Sequence, residues 1–458
     1  MSSTIKRNKY EIDMCNGTIM DKLISFSLPL MLSGILQLMF NAVDIIVIGR
    51  FSGSQSLAAV GSTTALINMF TNLFIGISLG ANVLSARFYA AGKDKEMSET
   101  VHTAITLALI SGIIMVFVGL IFAKPVLELM DTPDDVINLS TLYMRIYFMG
   151  MPFFMLYNYG ASILRAVGDT KRPLFYLIVA GIANAGLNMC LVIIFHLGVA
   201  GVAIGTVISQ LISSILVLRC LYQSETSYQL RFSKLKIQKE YLKQIFQVGI
   251  PAGIQSTVIN ISNAMLQSSV NSFGSIAMAG YTASNNIFGF LYVTVNAVTQ
   301  ACMSFTSQNY GVGKWKRMDR VLIDCLILSF VAMMILGNSA YFFGPKLLTI
   351  YTSNSKVIQC GMEILLYTTV TYFLCGFMDL FPGALRGMGR SGVPMILSII
   401  GTVGTRIVWI FWIFPNHRSL DILFISYPAS WIITIVLQVI CYYFVRKKTY
   451  GQEAEKTA

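Results

Sequence analysis

Charge is scarce in this sequence: Asp, Glu, Lys and Arg make up 12% of 458 residues, about half the share of an ordinary soluble domain. A chain of this size with so few charges is poorly suited to water. Histidine is scarcer still, with His102, His196 and His417 far apart, and the eight cysteines are scattered, mostly through apolar stretches, with no CxxC pair. That excludes a zinc site of the usual ligand spacing and a paired-cysteine framework; the cysteines read as small hydrophobes. No GxxxxGK[ST] loop is present to cradle ATP phosphates, and no HExxH appears. The clustered Asp-rich motifs at a cytoplasmic face that a membrane enzyme on isoprenoid lipids needs are missing too. The sequence points away from an enzyme and calls for no cofactor.

What is abundant is apolar. Hydrophobic residues reach 55% and the mean hydropathy is +0.67. They fall in runs of roughly 20 or more, the length that crosses about 30 Å of hydrocarbon. Apolar runs between polar breaks lie near 23–49, 57–86, 101–123, 136–163, 173–195, 198–221, 244–271, 277–308, 321–344, 358–384, 394–414 and 422–445. This predicts an all-α integral membrane protein of about twelve transmembrane helices. The first run is longer than a signal-peptide core and lacks a small-residue cleavage site, so it is expected to be retained.

The net charge of +12 would suggest nucleic acid in a soluble protein. Here the charges sit in loops. About 26 of the 33 Lys and Arg fall on the side of the N-terminus, whereas the opposite loops hold Arg50, Lys124, Lys346, Lys356 and Arg418 beside the acidic Asp131, Asp134 and Asp135. The positive-inside rule then places both termini in the cytoplasm and explains the basic excess without a nucleic-acid partner.

Shifting the chain against itself by about 221 residues brings matching features into register. Pro29 meets Pro251; GSQSLAAVGS (53–62) meets GSIAMAGYTA (274–283); Tyr89-Ala-Ala-Gly-Lys93 meets Tyr310-Gly-Val-Gly-Lys314. Leu164-Arg-Ala-Val-Gly168 with Pro173 meets Leu385-Arg-Gly-Met-Gly389 with Pro394 at one constant offset. Six spans separate equivalent points, and six is even, so the halves share one orientation. The expected organisation is an N-terminal six-helix bundle (1–222), a cytoplasmic linker (223–242) that tethers two rocking halves, and a C-terminal bundle with a cytoplasmic tail (243–458). Gly76 and Gly80 form a small-xxx-small face on the second span, matched by Ala297 and Ala301, and predict close backbone packing.

A charge in hydrocarbon costs roughly 2.5–3.5 kcal/mol on insertion scales, so each one there should face protein, water or a partner. Asp44, in FNAVDIIVIGR, is the only acid of the first span and the leading candidate for a protonatable or cation-binding carboxylate. Asn184 and Asn188 stand four apart on one face of the fifth span, placed to bridge helices or hold that carboxylate; Thr206 on the sixth span is a weaker candidate. In the second half, Gln255 and Asn263 make the seventh span polar, and Asp379 and Arg406 put charges on the tenth and eleventh, a candidate polar pathway. Tyr281, Phe288 and Tyr292 are candidates for lining a substrate cavity, and no residue pattern suggests a metal site.

Pro29 through Gln37, Asn41, Asp44 and Gly49, Ala58-Ala-Val-Gly61, the loop Leu164 to Pro173 and their second-half counterparts together resemble the multidrug and toxic compound extrusion (MATE) family, nearer its bacterial DNA-damage-inducible branch than the norfloxacin type. The likeness covers nearly the whole chain. It implies two bundles around a central cavity in a bacterial plasma membrane, exporting organic cations or other amphiphiles in exchange for protons or sodium, with membrane lipid as surroundings and a monomer sufficient. Asp44, Asn184 and Thr206 match the family's first-, fifth- and sixth-span site residues. Asn188 departs, since many relatives carry Asp there, and Gln255 replaces a glutamate of the norfloxacin-type branch. A lipid or glycolipid flippase of the same broader superfamily, or an uncoupled channel or scaffold, remains the alternative.

Overall fold

The computed structural model describes residues 8–130 and 132–457, without the side chains of Ala65 and 450–457; Asp131 lies outside the described residues. The described chain is built of helices joined by short turns. In the first half they are α1 (Met20–Phe51), α2 (Gly53–Ala90), α3 (Asp94–Leu129), α4 (Asp134–Met149), α5 (Met151–Ala166), α6 (Lys171–Met189) and α7 (Gly198–Tyr222). In the second they are α8 (Lys239–Asn271), α9 (Ser275–Gly311), α10 (Trp315–Phe342), α11 (Gly344–Thr349), α12 (Ser355–Thr369), α13 (Tyr372–Gly387), α14 (Gly392–Ser398), α15 (Thr405–Val408) and α16 (Leu420–Thr457). π-helical turns extend α6 over Cys190–Ile194 and flank α15 at Ile399–Gly404 and Trp409–Ile413.

Among the described residues, nine helices are long and apolar enough to cross a membrane, or ten if α12 and α13, bent by 44°, count as one span. Helices cover every expected run. The fourth run is divided at Gly150, with Pro152 in the first turn of α5, so neither α4 nor α5 alone has spanning length. Helix α8 has the length but carries Gln255, Ser256, Thr257, Asn260, Ser262 and Asn263. The breaks at Gly150 and at Val370–Thr371 are themselves equivalent by the repeat offset.

The backbone carries the repeat further. Gly53, Gly92 and Gly168 have φ of 82°, 66° and 96°, and Gly274, Gly313 and Gly389, each 221 residues later, have 94°, 69° and 79°. Gly168 and Gly389 close α5 and α13 with the same pair of bonds. The N–H of the glycine reaches the carbonyl three residues back, and the next N–H reaches the carbonyl five back: Asp169 to Leu164 at 2.9 Å, Arg390 to Leu385 at 2.9 Å. This termination needs a left-handed residue after the helix, which glycine adopts without a Cβ clash.

The chain forms two compact units, Met1–Asp13 with Leu32–Gly253 and Met14–Met31 with Ile254–Ala458. Helix α1 therefore passes from one unit to the other two residues after Pro29, and α8 does so two residues after Pro251. In the first unit α3 packs on α4 and α5, α2 on the same pair, and α6 on α7; in the second, α9 packs against α10, α12 and α13, with α16 on α13. Each has its own apolar core, holding Ile48, Met97, Phe148 and Tyr159 in one and Leu266, Ile364, Leu423 and Phe424 in the other. The expected close packing of the second span is present: a Cβ on Gly76 would land on the Gly253 backbone, and one on Gly249 on Ile77.

The connection after α7 is no loose tether. Tyr228 is fully buried, its hydroxyl donating to Glu11 at 2.6 Å; Tyr89 donates to the same carboxylate at 2.6 Å. Burial and the neighbouring Glu11 push the Tyr228 phenol up, so it keeps its proton as a donor. The Arg231 N–H reaches His102 Nε2 at 3.1 Å and the Gln238 N–H reaches Thr103 at 3.2 Å. The segment is strapped to the first unit along its length.

Candidate functional site

In the first unit, Asp44 of α1 is 9% exposed. Asn188 donates one amide hydrogen to Asp44 Oδ1 and the other to Asn184 Oδ1 at 3.3 Å, and Asn184 Nδ2 donates to Thr206 Oγ1 at 3.4 Å. The four residues singled out in this half thus form one hydrogen-bonded row across α1, α6 and α7. Asn184 and Asn188 share a face because they are one turn apart. The π turn that begins two residues after Asn188 lies where α6 leaves this row; such turns recur at functional sites.

Two features of the row were missed by sequence reasoning. Gly205 stands where a Cβ would strike Asn188 Oδ1, so the absence of a side chain on α7 makes the amide's position possible. Tyr143 and Tyr147 of α4 lie within electrostatic range of Asp44. A glycine inside an apolar helix and two tyrosines among 21 gave no separate signal. The row leaves Asn188 Oδ1 buried without a hydrogen-bond partner. Chemically, the Asn188 donor favours the ionised carboxylate, and the oxygens of Asp44 and Asn188 are hard ligands of the kind a proton or small cation takes.

The second unit separates its candidates into two clusters. Gln255 accepts from Arg386 Nη2 at 2.7 Å, and Asp379 lies within electrostatic range of Arg386 and hydrogen-bonds Tyr292. Arg386, missed at first, was hidden because it read as a loop charge of the LRGMG turn. Arg406 is elsewhere: its Nη1 donates to Asn263 Oδ1 at 2.7 Å and its Nε to Ser430 at 3.3 Å, and it lies 4.6 Å from the Tyr427 ring centre. Of the aromatic candidates, Tyr281 stacks on Phe424 and Phe288 on Tyr372 within the core, whereas Tyr292 is 44% exposed.

The sequence pattern of the MatE family matches residues 29–190 and again 251–412, well over half of the chain. The chain belongs to the MatE family. The two matches are the two halves of the repeat, and they place Asp44, Asn184 and Asn188 in the first copy and Gln255, Asn263, Asp379 and Arg406 in the second, with Thr206 beyond the first. Among MatE-type relatives, the probable multidrug resistance protein YoeA of Bacillus subtilis is 30% identical over 92% of this chain and 93% of its own. The multidrug export protein MepA of Staphylococcus aureus is 23% identical over 82% and 84%. A multidrug resistance MATE family transporter solved in an outward-facing conformation superposes with a TM-score of 0.89, at 20% identity over 98% of this chain and all of that one. The fold is that of a MATE transporter, a multi-pass membrane protein and not an enzyme.

Proposed function

We propose that this chain is a secondary active exporter of organic cations or other amphiphiles, driven by exchange for H+ or Na+ at Asp44. The observation that carries the reading is a buried first-span carboxylate held by the Asn188 amide of another helix, in a chain without a nucleotide-binding motif. Protonation or cation binding at Asp44 would compete with the Asn188 hydrogen bond and so bias one of two conformations, the requirement for coupling. Asn184 and Thr206 orient Asn188. Asp379, Tyr292, Arg386 and Gln255 are a second polar cluster on the path. The names of YoeA and MepA, multidrug resistance and multidrug export, support the substrate class. The bundles 1–222 and 243–458 act as the two halves of a monomer in a bacterial plasma membrane, with both termini cytoplasmic.

The test is ethidium uptake into inverted vesicles under separately imposed proton and sodium gradients. Wild type is expected to respond to one gradient and Asp44→Asn to lose that response at least tenfold, a loss of about 1.4 kcal/mol or more. No uptake with either ion would move the assignment to a lipid substrate. Uptake unchanged in the mutant would indicate an uncoupled role.

A further inference from the structure

The Arg406 cluster has no place in the coupling scheme. Its side chain is 3% exposed, among the least accessible cationic groups of the second unit. Its guanidinium offers five N–H groups and a full charge. What meets it is neutral: the Asn263 amide oxygen, the Ser430 hydroxyl, and the face of Tyr427, whose own hydroxyl lies 2.9 Å from that of Tyr281. None of the described carboxylates forms an ion pair with it. A buried charge matched only by neutral groups is expensive at membrane depth and marks a place where a counter-charge is brought in.

The backbone is built around that position. Four residues of α-helix, Thr405–Val408, hold Arg406 between two π-helical turns. A π turn takes one residue more than an α turn, so the repeat offset of 221 that relates Pro173 to Pro394 becomes 222 past Ile399–Gly404. Asn184 then corresponds to Arg406. One unit places a neutral amide where the other places a cation.

A polar face of α8 leads to this cluster. Ser256, Asn260, Asn263 and Gln267 follow one another at spacings of four, three and four, hence on one helical face. Ser256, Asn260 and Gln267 are exposed and Asn263 half-buried. A polar face on a membrane-length helix borders protein or water, because hydrocarbon leaves such groups unsatisfied. Asn263 is the member of that face that touches Arg406.

We propose that Arg406 and Asn263 form a receptor for the carboxylate of an amphiphilic substrate, so that zwitterions and organic anions are accepted as well as cations. The proposal rests on the transporter reading above. The probes are a rhodamine with a free benzoate and its methyl ester, which differ only at the carboxylate. Binding to purified protein, read by fluorescence polarisation, and uptake into phosphatidylcholine proteoliposomes are measured for wild type, Arg406→Gln and Arg406→Lys. Wild type is expected to bind and transport the acid at least tenfold better than the ester. Arg406→Gln should abolish that preference while leaving ester transport within twofold, and Arg406→Lys should restore part of it. Equal loss of both probes would make Arg406 structural and overturn the proposal, as would a wild type without preference. Acid preference lost when phosphatidylglycerol is added would assign the site to a lipid headgroup and overturn it too. If neither probe is transported but the acid still binds preferentially through Arg406, the receptor stands and the exporter reading fails.

Discussion

Gly205 shows how much of the first-unit site depends on one missing side chain. A Cβ there would fall on Asn188 Oδ1, forcing the amide off Asp44 or α7 off α6. Gly205→Ala is therefore expected to destabilise by about 1–3 kcal/mol, the usual cost of overpacking, seen as a lower Tm in detergent. The cause can be isolated, because residues in contact couple. In an Asn188→Ala background the added methyl has nothing to strike, and Gly205→Ala should then cost under about 0.5 kcal/mol. Equal cost in both backgrounds would mean that Gly205 is needed for some other contact. Asp44, Asn184, Asn188 and Thr206 were legible because each is a polar side chain inside an apolar run, and burial of such groups demands partners. Gly205 was not, since a glycine in a helix looks alike whether it makes room for an amide or for nothing.

At the scale of helices, hydropathy found where the chain runs through the membrane but not how each helix is built. It cannot see the division at Gly150, because the apolar residues on both sides continue the pattern. Nor can it see the π turns, which add one residue without changing composition and so moved Arg406 out of the simple repeat register. The Gly76–Gly80 stripe was legible, and the structure supplies its partners: α2 meets the N-terminal half of α8 at Gly249 and Gly253. Gly249→Ala would put a methyl on the Ile77 backbone, where no rotamer can yield, and is expected to lower stability by about 1–3 kcal/mol or more. Gly186→Ala in α6 is the matched control. Nothing lies within 4 Å of its added Cβ, and helix propensity alone predicts a gain of up to about 1 kcal/mol. Thermal unfolding of the two variants in one detergent checks the pair, and similar losses in both would show that backbone approach is not what α2 and α8 require.

For the whole molecule, the distribution of charge carries more than the count. With about 26 of 33 basic residues on one side, inverting the protein would move them all across the membrane, against a bias that counts Lys and Arg near span ends. The loop after α7 and the turn before α12 lie on opposite sides in this topology. Ser233 and Ser353 are exposed in those two segments, and seven of the eight native cysteines are buried, Cys190 being partly so. In a Cys190→Ala background, a membrane-impermeant maleimide applied to intact cells should label Ser353→Cys and spare Ser233→Cys, and inverted vesicles should reverse the pattern. Labelling of Ser233→Cys from outside would place the termini outside as well, because an even number of spans separates them. It would also put Asp44 toward the opposite face, so that the ion gradient assigned to drive export would favour uptake instead.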